Sequence, residues 1–375
     1  MKKELKKITS TFIYLILFLQ LCFFSPLNAA EDKNIFSIIG AYIATESLEE
    51  KNQIAEKMID YIEANKNISS ELLKKINEPN LPEGKKACYI WAIGFTQDTK
   101  VTDKLIETHK SSSSELIKDN ALRSLSMIND KKSCEYIFTL EKQSDQANKY
   151  NYLNLLAEMQ YERALPETYS VLQSSQSWQS FFIFGKMGDV SIPYLIEQIN
   201  DANTNVRGNA MYMLGIRLLA TQAVKPMQKR YWIETDNDIK NLILSSLERI
   251  TTKLDEMEEF SKLVVEKEKD ANLKKFARET IDGMAKNRQS VDEFISKKKY
   301  DPNGFDKEYA ALYKSCGHEG DIKKLGEYST INDEDKLKKL KERILQRNSD
   351  ECFYDYDEVN MIIMMNRLIA ENTKK

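Results

Sequence analysis

The sequence predicts an all-α fold, a right-handed α-α superhelix of about eight to ten stacked helical hairpins. Three observations carry this prediction. A ten-residue pattern recurs at intervals of 29 to 34 residues over most of the chain. Only 12 glycines and 7 prolines occur among 375 residues, which favours helix throughout. No run of alternating β-branched residues is bounded by turn residues, which argues against a β domain.

The repeat is clearest in four segments that have an aliphatic residue at positions one and nine and a basic residue at position two. These segments are Val206–Gly215, Ile117–Ser126, Ile239–Glu248 and Leu273–Asp282. Their positions one, five and nine fall on one face of a helix. Weaker copies begin at residues 51, 85, 147 and 176. Because about 30 residues accommodate two short antiparallel helices with their turns, each copy is predicted to be the second helix of a hairpin.

The unit Gly188–Gly215 resembles the HEAT-like repeat first associated with phycobilisome lyases. In that repeat an acidic residue precedes a Val-Arg pair, and an alanine and a Leu-Gly pair follow. The matching positions in this sequence are Asp201, Val206, Arg207, Ala210, Leu214 and Gly215. The resemblance implies a HEAT-like solenoid and leaves the activity open.

The first 30 residues have the pattern of a secretory signal peptide. Four lysines between Lys2 and Lys7 precede an apolar run, Ile8–Phe24, and the small residues within Ser25–Ala30 suit a signal peptidase. We therefore expect residues 1–30 to be removed and the protein to be exported, either to the periplasm or as a secreted protein. Two alternatives stay open, an uncleaved N-terminal anchor and a lipidated Cys22.

The remaining chain is expected to form two parts. HEAT-like repeats are predicted for residues 31–285, and divergent helical repeats that cap the solenoid are predicted for residues 286–375, where the pattern decays. The final predicted helix, Asp357–Ala370, carries an apolar stripe that includes Val359 and Ile362. That stripe favours a capping role at the end of the array.

Four cysteines remain once the first 30 residues are removed. They are Cys88, Cys134, Cys316 and Cys352. An even number in an oxidising compartment permits disulfides, and four cysteines allow three connectivities, among which sequence does not choose. We prefer a bridge between Cys316 and Cys352, because both lie in the last two helical units, and a buried thiol for Cys88.

The sequence lacks the patterns of a catalytic or metal site. Its two histidines, His109 and His318, lie far apart, which argues against a histidine-based triad and against a multi-histidine metal site. No glycine-rich phosphate loop and no Gly-x-Ser-x-Gly elbow occur. We therefore predict a protein that is not an enzyme and holds neither a metal nor a cofactor.

The charge balance excludes two further classes of partner. The net charge is −3, and loss of residues 1–30, with four lysines and one glutamate, makes it more negative. Nucleic acids and anionic membranes both require a basic excess on some face. We therefore expect no nucleic-acid partner, and no stable membrane insertion after signal removal.

Aromatic and basic residues in or near the predicted second helices supply the candidate binding residues. In HEAT-like arrays these helices commonly line the concave surface, and Trp, Tyr and Arg often dominate interface energetics. The candidates are Arg123, Trp178, Tyr212 and Trp232. The leading hypothesis is a non-enzymatic scaffold of the bacterial envelope that binds a protein or peptide. The alternative is a carrier of a small hydrophobic ligand or a lyase-like enzyme on the same scaffold.

The basic residue at position two of the repeat has a structural interpretation as well. The basic residues at this position are predicted to pair with acidic residues between helices. The basic residues are Lys86, Lys118, Arg207, Lys240 and Lys274, and the acidic candidates include Asp201, Asp238 and Asp270. Such a ladder of ion pairs would align neighbouring hairpins. The functional alternative is an anion-binding stripe.

Overall fold

The computed structural model describes the chain from residue 34 to residue 372 with short gaps; its ranges are 34–65, 67–174, 177–317, 321–328, 333–347 and 351–372. Within these ranges the secondary structure is helical and contains no strand, apart from one isolated bridge between Lys299 and Tyr328. The expected signal peptide lies outside the described residues. The chain divides into two compact units, one ending at Met159 and the other beginning at Gln160.

Four antiparallel helical hairpins form the described part of the first unit. In chain order the helices are α1 (Ile35–Ala44), α2 (Leu48–Ala64), α3 (Ile68–Ile76), α4 (Glu83–Phe95), α5 (Thr102–Ser111), α6 (Glu115–Ile128), α7 (Lys131–Gln143) and α8 (Gln146–Glu158). Polar side chains cap the starts of several of these helices. The Ser114 side chain accepts a hydrogen bond from the Ile117 N–H, and Asp130 accepts one from the Ser133 N–H. Asn129, with φ of 52°, ends α6 in the left-handed conformation that such a cap requires.

The second unit contains further hairpins and a C-terminal group of helices. Its α-helices are α9 (Tyr169–Gln173), α10 (Ser177–Met187), α11 (Ile192–Gln198), α12 (Thr204–Tyr212), α13 (Val224–Ile233), α14 (Asn237–Ile250), α15 (Leu254–Lys267), α16 (Ala271–Lys297), α17 (Pro302–Lys314), α18 (Glu334–Leu345) and α19 (Glu351–Asn372). Short 3-10 helices precede α9, α11, α13 and α18; they are Glu162–Thr168, Gly188–Ser191, Thr221–Ala223 and Ile322–Glu327.

The repeat pattern identifies the second helix of each hairpin. The eight copies correspond to α2, α4, α6, α8, α10, α12, α14 and α16. In the strongest copy Val206, Ala210 and Leu214, at positions one, five and nine, are all fully buried. Second helices of successive hairpins pack on one another, α4 on α6 and α12 on α14. The prediction of an all-α, HEAT-like fold of stacked hairpins is thereby confirmed.

A wider turn interrupts the second helix of the strongest repeat. After α12 the backbone forms a π turn over Met213–Arg217, in which the Leu218 N–H donates to the Met213 carbonyl at 2.8 Å. Leu219 then adopts a positive φ of 53°. Such turns are frequent at functional sites because they redirect side chains from the regular helical positions. Here the turn brings Arg217 and Leu219 towards the C-terminal helices.

Helices α18 and α19 pack on the second unit's own repeats. The ring of Phe181 on α10 stacks on that of Phe353 on α19, with centroids 4.0 Å apart, and meets the Tyr356 ring edge-on at 5.3 Å. Arg217 donates to Asp357 at 2.6 Å. These contacts fix α19 against α10 and the π turn.

The boundary expected between residues 285 and 286 falls inside α16. This helix continues to Lys297 because its apolar face continues, with Met284 and Val291, two turns apart, both buried. Among the described residues no helix combines the length and the apolarity needed to cross a membrane.

The structure does not contain the preferred disulfide between Cys316 and Cys352. Both residues are thiols. Cys352 is fully buried on α19, and its S–H lies 3.2 Å from the Ile344 carbonyl oxygen on α18. Cys316 ends α17 in a left-handed conformation with φ of 55°. The structure thus has both residues in the reduced form, in contrast to the pairing preferred from the sequence.

Candidate functional site

The four predicted binding residues do not occupy one helix face. Arg123 lies on α6 of the first unit, while the other three belong to the second unit. Trp178 and Tyr212 lie on second helices, α10 and α12, as expected. Trp232 lies near the C-terminal end of α13, the first helix of its hairpin, a short turn before the second helix α14 begins at Asn237.

Two of the predicted residues are engaged within their own unit. The Tyr212 ring is half-buried under the Arg217 guanidinium, which lies 5.1 Å from the ring centroid. Arg123 is exposed beside Asp119, whose pKa is raised by burial although the charge of Arg123 opposes that shift. The guanidinium of Arg217 thus covers part of the Tyr212 ring, whereas Arg123 stays exposed.

Trp232 belongs to an exposed apolar patch on the first helices of two neighbouring hairpins. Trp232 is 40% exposed and is followed at the end of α13 by Ile233, which is 66% exposed. Its indole meets the Phe260 ring of α15 with centroids 6.0 Å apart. Leu263, one turn beyond Phe260, is also exposed. We call Trp232, Ile233 and Leu263 the Trp232 patch.

A buried tyrosine supports this patch from below. The Tyr231 ring is fully buried and meets Trp232 and Phe260 edge-on, at 5.0 and 5.7 Å. Its hydroxyl donates to Glu268 at 3.0 Å. Burial raises the pKa of Tyr231, and the hydrogen bond to Glu268 raises it further, so the phenol stays protonated. The patch therefore rests on a fixed aromatic cluster, and little side-chain entropy would be lost when a partner binds.

A second feature is a cavity of about 200 Å³, lined by both charged and apolar side chains, between the repeats of the second unit and its C-terminal helices. We call it the C-terminal cavity. It is lined by Gln160, Gly185, Gly188, Asp189, Val190, Leu218, Leu219, Lys338, Lys341, Glu342, Tyr356, Ile363 and Arg367.

Lys341 is the most buried charged side chain of the C-terminal cavity, at 7% exposure. Its ammonium lies 3.4 Å from the Arg217 carbonyl oxygen and 4.5 Å from the centroid of the Tyr356 ring. Burial lowers the pKa of Lys341 to about 7, and the nearby positive charge of Arg367 acts in the same direction. The side chain is therefore poised between its charged and neutral forms near neutral pH.

The other cations of this cavity have carboxylate partners. Lys338 pairs with Asp189 at 2.7 Å and with Glu334 at 3.3 Å. Arg367 binds Glu334 through two hydrogen bonds of 2.9 and 2.6 Å and donates a third to the Leu219 carbonyl at 2.6 Å. The lowered pKa of Glu334 reflects these partners, which outweigh the opposing effect of its burial.

Glu342, which follows Lys341 in the sequence, forms its hydrogen bond with a different residue. It accepts a hydrogen bond from the Gln160 side-chain amide at 3.1 Å. Burial raises its pKa. Among the described residues, no carboxylate forms an ion pair with Lys341, which sets it apart from Lys338 and Arg367.

Sequence patterns do not indicate this cavity. The segment around Lys341 has the pattern of an ordinary charged amphipathic helix, in which lysines are expected to be solvated. Its burial depends on the π turn and on α19. No group of three potential metal ligands occurs among the described residues, and His318 lies outside them.

Comparisons with known proteins bear on the fold alone. No protein-family model matches the chain, and no curated protein matches its sequence. A solved structure, "The structure of the complex of CpcE and CpcF of phycocyanin lyase from Nostoc sp. PCC7120", contains a chain with 14% sequence identity and a TM-score of 0.31, over 69% of this chain and 98% of that chain. A TM-score that low carries no information on function. From its own helices and their packing, the chain is an all-α protein of stacked HEAT-like hairpins.

Proposed function

We propose that this protein is an exported, non-enzymatic scaffold that binds a protein partner through the Trp232 patch. The observation that carries the proposal is the pairing of an exposed tryptophan and isoleucine at the end of α13 with a rigid aromatic support formed by Tyr231 and Phe260. Exposed apolar groups clustered in this way mark interaction surfaces in soluble proteins.

Charges at the rim of the patch define the partner. Arg230 pairs with Glu234 at 2.8 Å, and Lys262 pairs with Glu258 at 2.7 Å. Since these charges are paired within the chain, a strongly acidic or strongly basic partner would gain little electrostatic binding energy at the patch. The patch fits a protein that inserts apolar side chains against Trp232 and Ile233, with tryptophan as the dominant contributor to binding.

The alternative of a carrier for a hydrophobic ligand has less support. The C-terminal cavity is lined by Asp189, Lys338, Lys341, Glu342 and Arg367, and an apolar pigment or lipid would leave these groups without water. The Trp232 patch is a surface feature and does not enclose a ligand.

Export is part of the proposal and rests on the N-terminal sequence pattern. Intact mass measurement of the protein recovered from its native cell tests it. We expect a chain that begins near Ala30 or Glu31. A protein that retains Met1 and fractionates with the cytoplasm would contradict export without affecting the binding proposal.

Site-specific photo-crosslinking in the native cell tests the binding surface. A photoreactive amino acid at Ile233 is expected to capture one discrete protein, whereas the same amino acid at Lys275, which is exposed on α16, is not. The captured protein, purified, should then bind the wild-type chain and lose at least tenfold in affinity with Trp232→Ala. Equal crosslinking from both positions, or equal affinity of the variant, would refute the proposal.

A further inference from the structure

The C-terminal cavity contains a buried cation that forms no direct ion pair with a carboxylate among the described residues, although Asp189 and Glu334 act on it at longer range. Lys338 and Arg367 point their cations at Asp189 and Glu334, whereas Lys341 has as partners only the Arg217 carbonyl and the face of the Tyr356 ring among the described residues. A carbonyl dipole and an aromatic face together stabilise an ammonium group less than a carboxylate does. An anion in the cavity would therefore gain a buried partner.

We propose that the C-terminal cavity binds a small organic monocarboxylate, whose carboxylate pairs with the ammonium of Lys341. This site contains no residue of the Trp232 patch, so its test does not depend on the proposed scaffold function.

The charge of the lining selects a monoanion. Asp189 and Glu342 also line the cavity, and their carboxylates would repel a second negative charge. Inorganic phosphate, which is largely doubly charged above neutral pH, is therefore disfavoured.

The size and the apolar part of the lining select a short ligand. The cavity holds about 200 Å³, which is enough for a small organic acid and too small for a peptide. Leu218, Val190 and Ile363 contribute apolar side chains to the lining. A short aliphatic chain attached to the carboxylate can remove its methylene groups from water against such side chains.

The buried position of Lys341 gives the site a pH dependence. In the empty cavity the pKa of Lys341 is about 7, and a bound carboxylate raises it, so binding above pH 7 requires the uptake of a proton. The affinity should fall about tenfold from pH 6 to pH 8, as the ammonium form of the empty site is lost. The charged and titratable groups that face Lys341 are Asp189, Arg217, Glu334, Lys338, Glu342, Tyr356, Asp357 and Arg367.

Calorimetric titration of the chain without residues 1–30 tests the proposal, with butyrate as the probe. Butyramide has the same shape without the charge and is expected to bind at least tenfold more weakly. Lys341→Met should also weaken butyrate binding at least tenfold. The matched control is Lys336→Met, on the same helix but outside the cavity, where Lys336 pairs with Asp306; this variant should bind as the wild type does.

Each contrary result overturns the proposal. Equal binding of butyrate and butyramide, or equal binding by Lys341→Met, would remove the role of the ammonium. Tighter binding of inorganic phosphate would show that the ligand class is wrong, and no binding of butyrate at millimolar concentrations would show that the cavity is not a carboxylate site. The comparisons of butyrate with butyramide, and of pH 6 with pH 8, use only wild-type protein, so they decide the matter even if Lys341→Met does not fold.

Discussion

The guanidinium of Arg207 binds the buried carboxylate of Glu234 through two parallel hydrogen bonds, 2.8 Å from Nε to Oε2 and 3.0 Å from Nη2 to Oε1. Arg207 lies in the first turn of α12, the second helix of one hairpin, and Glu234 directly follows α13, the first helix of the next. The same guanidinium donates to the carbonyls of Asp201 and Ala202, each at 3.0 Å. One side chain therefore closes the turn of its own hairpin and fixes the position of the neighbouring hairpin.

The next repeat uses the same arrangement with a lysine. Lys240, at the position equivalent to Arg207, pairs with Glu268 at 2.8 Å. Glu234 and Glu268 each also accept hydrogen bonds from the two backbone N–H groups that follow them. A ladder was expected from the sequence, with Asp201, Asp238 and Asp270 as the candidate acids, but the acids that pair with Arg207 and Lys240 are these glutamates. The Asp201 side chain instead accepts a hydrogen bond from the Tyr169 hydroxyl, and Asp270 caps helix α16.

Arg207→Met should destabilise the fold by about 3 kcal/mol, because it leaves part of the buried Glu234 carboxylate without its partner. Urea unfolding of the chain without residues 1–30 measures this change. The control is Lys275→Met, which breaks an exposed pair with Glu279 at 3.7 Å and should cost less than about 0.5 kcal/mol. Similar losses in both variants would mean that the buried pair adds nothing beyond a surface ion pair.

Stability should fall in acid as Glu234 and Glu268 are protonated. Burial would raise the pKa of each, but for Glu234 the hydrogen bonds from Arg207, Arg230 and two backbone N–H groups lower it to about 2. For Glu268 the hydrogen bonds from Lys240, two backbone N–H groups and Tyr231 also give about 2. Because the folded-state values lie below the ordinary 4.5, this stabilisation is complete above pH 4.5 and is lost as the pH falls towards 2.

The corresponding measurement compares Glu234→Gln with the wild type at two pH values. The variant should be clearly less stable at pH 6, and the difference should shrink towards pH 2.5, where the wild-type carboxyl approaches the neutral form. Glu279→Gln, at an exposed site, should change the stability little at either pH. A difference for Glu234→Gln that stays constant with pH would show that the charge of Glu234 does not stabilise the fold.

Both units pack two second helices closely through a glycine and a serine. A Cβ added at Gly215 would lie 2.9 Å from the Ser246 Cα, and one added at Gly94 would lie 2.9 Å from the Ser124 Cα. The Ser124 hydroxyl donates to the Ile90 carbonyl at 2.6 Å, and the Ser246 hydroxyl lies 3.5 Å from the Met211 carbonyl oxygen. In both units the glycine that contacts the serine therefore lies four residues after the residue whose carbonyl faces the serine hydroxyl: Gly94 follows Ile90, and Gly215 follows Met211.

Gly215→Ala should destabilise the second unit by about 1–3 kcal/mol, because its methyl group would overlap the backbone of α14. Gly283→Ala is the matched control. Nothing lies within 4 Å of a Cβ added at Gly283 on α16, so this change should stabilise the helix by about 0.5–1 kcal/mol. Thermal unfolding of both variants measures the contrast. Opposite signs are expected, and a stabilising Gly215→Ala would mean that the two helices separate without cost.

The sequence predicted the helices of this fold better than its sites. The periodic pattern of Val206–Gly215 depends on residues a few positions apart, so it identifies a helix and its buried face without tertiary information. The C-terminal cavity instead joins Gln160 to Glu342, and Lys341 to the π turn at Arg217, across well over a hundred residues. Local patterns contain no information on such contacts. Trp232 is intermediate between these local and long-range features. Its exposure depends on the helix of the hairpin to which it belongs, and that helix is the first one.

Alkylation of the native protein should distinguish the four cysteines by exposure. Cys316 is partly exposed and should react first, while Cys88, Cys134 and Cys352 are buried and should react only on unfolding. Burial raises the pKa of Cys134 to about 11, which further slows its reaction because the thiolate is the nucleophile. Mass spectrometry of the alkylated peptides measures the order. Loss of reactivity at both Cys316 and Cys352 until a reductant is added would instead support the disulfide preferred from the sequence.

Lys341→Met should stabilise the protein at neutral pH. The folded-state pKa of Lys341, about 7, lies below the ordinary 10.5 because burial penalises the ammonium form. The unfolded chain therefore binds more protons than the folded chain between pH 7 and 10.5, so wild-type stability contains a penalty that is present below pH 7 and disappears as the pH rises through this range. Methionine fills a similar volume without a charge and removes the penalty.

Thermal unfolding at pH 7 and at pH 9.5 measures this effect. The variant should unfold at least about 3 °C above the wild type at pH 7, and the gap should narrow at pH 9.5. The Lys336→Met control, which removes an exposed ion pair, should show no such convergence. If Lys341→Met is less stable than the wild type at pH 7, the ammonium of Lys341 is stabilised within the fold, and the cavity has no destabilised cation to offer a ligand.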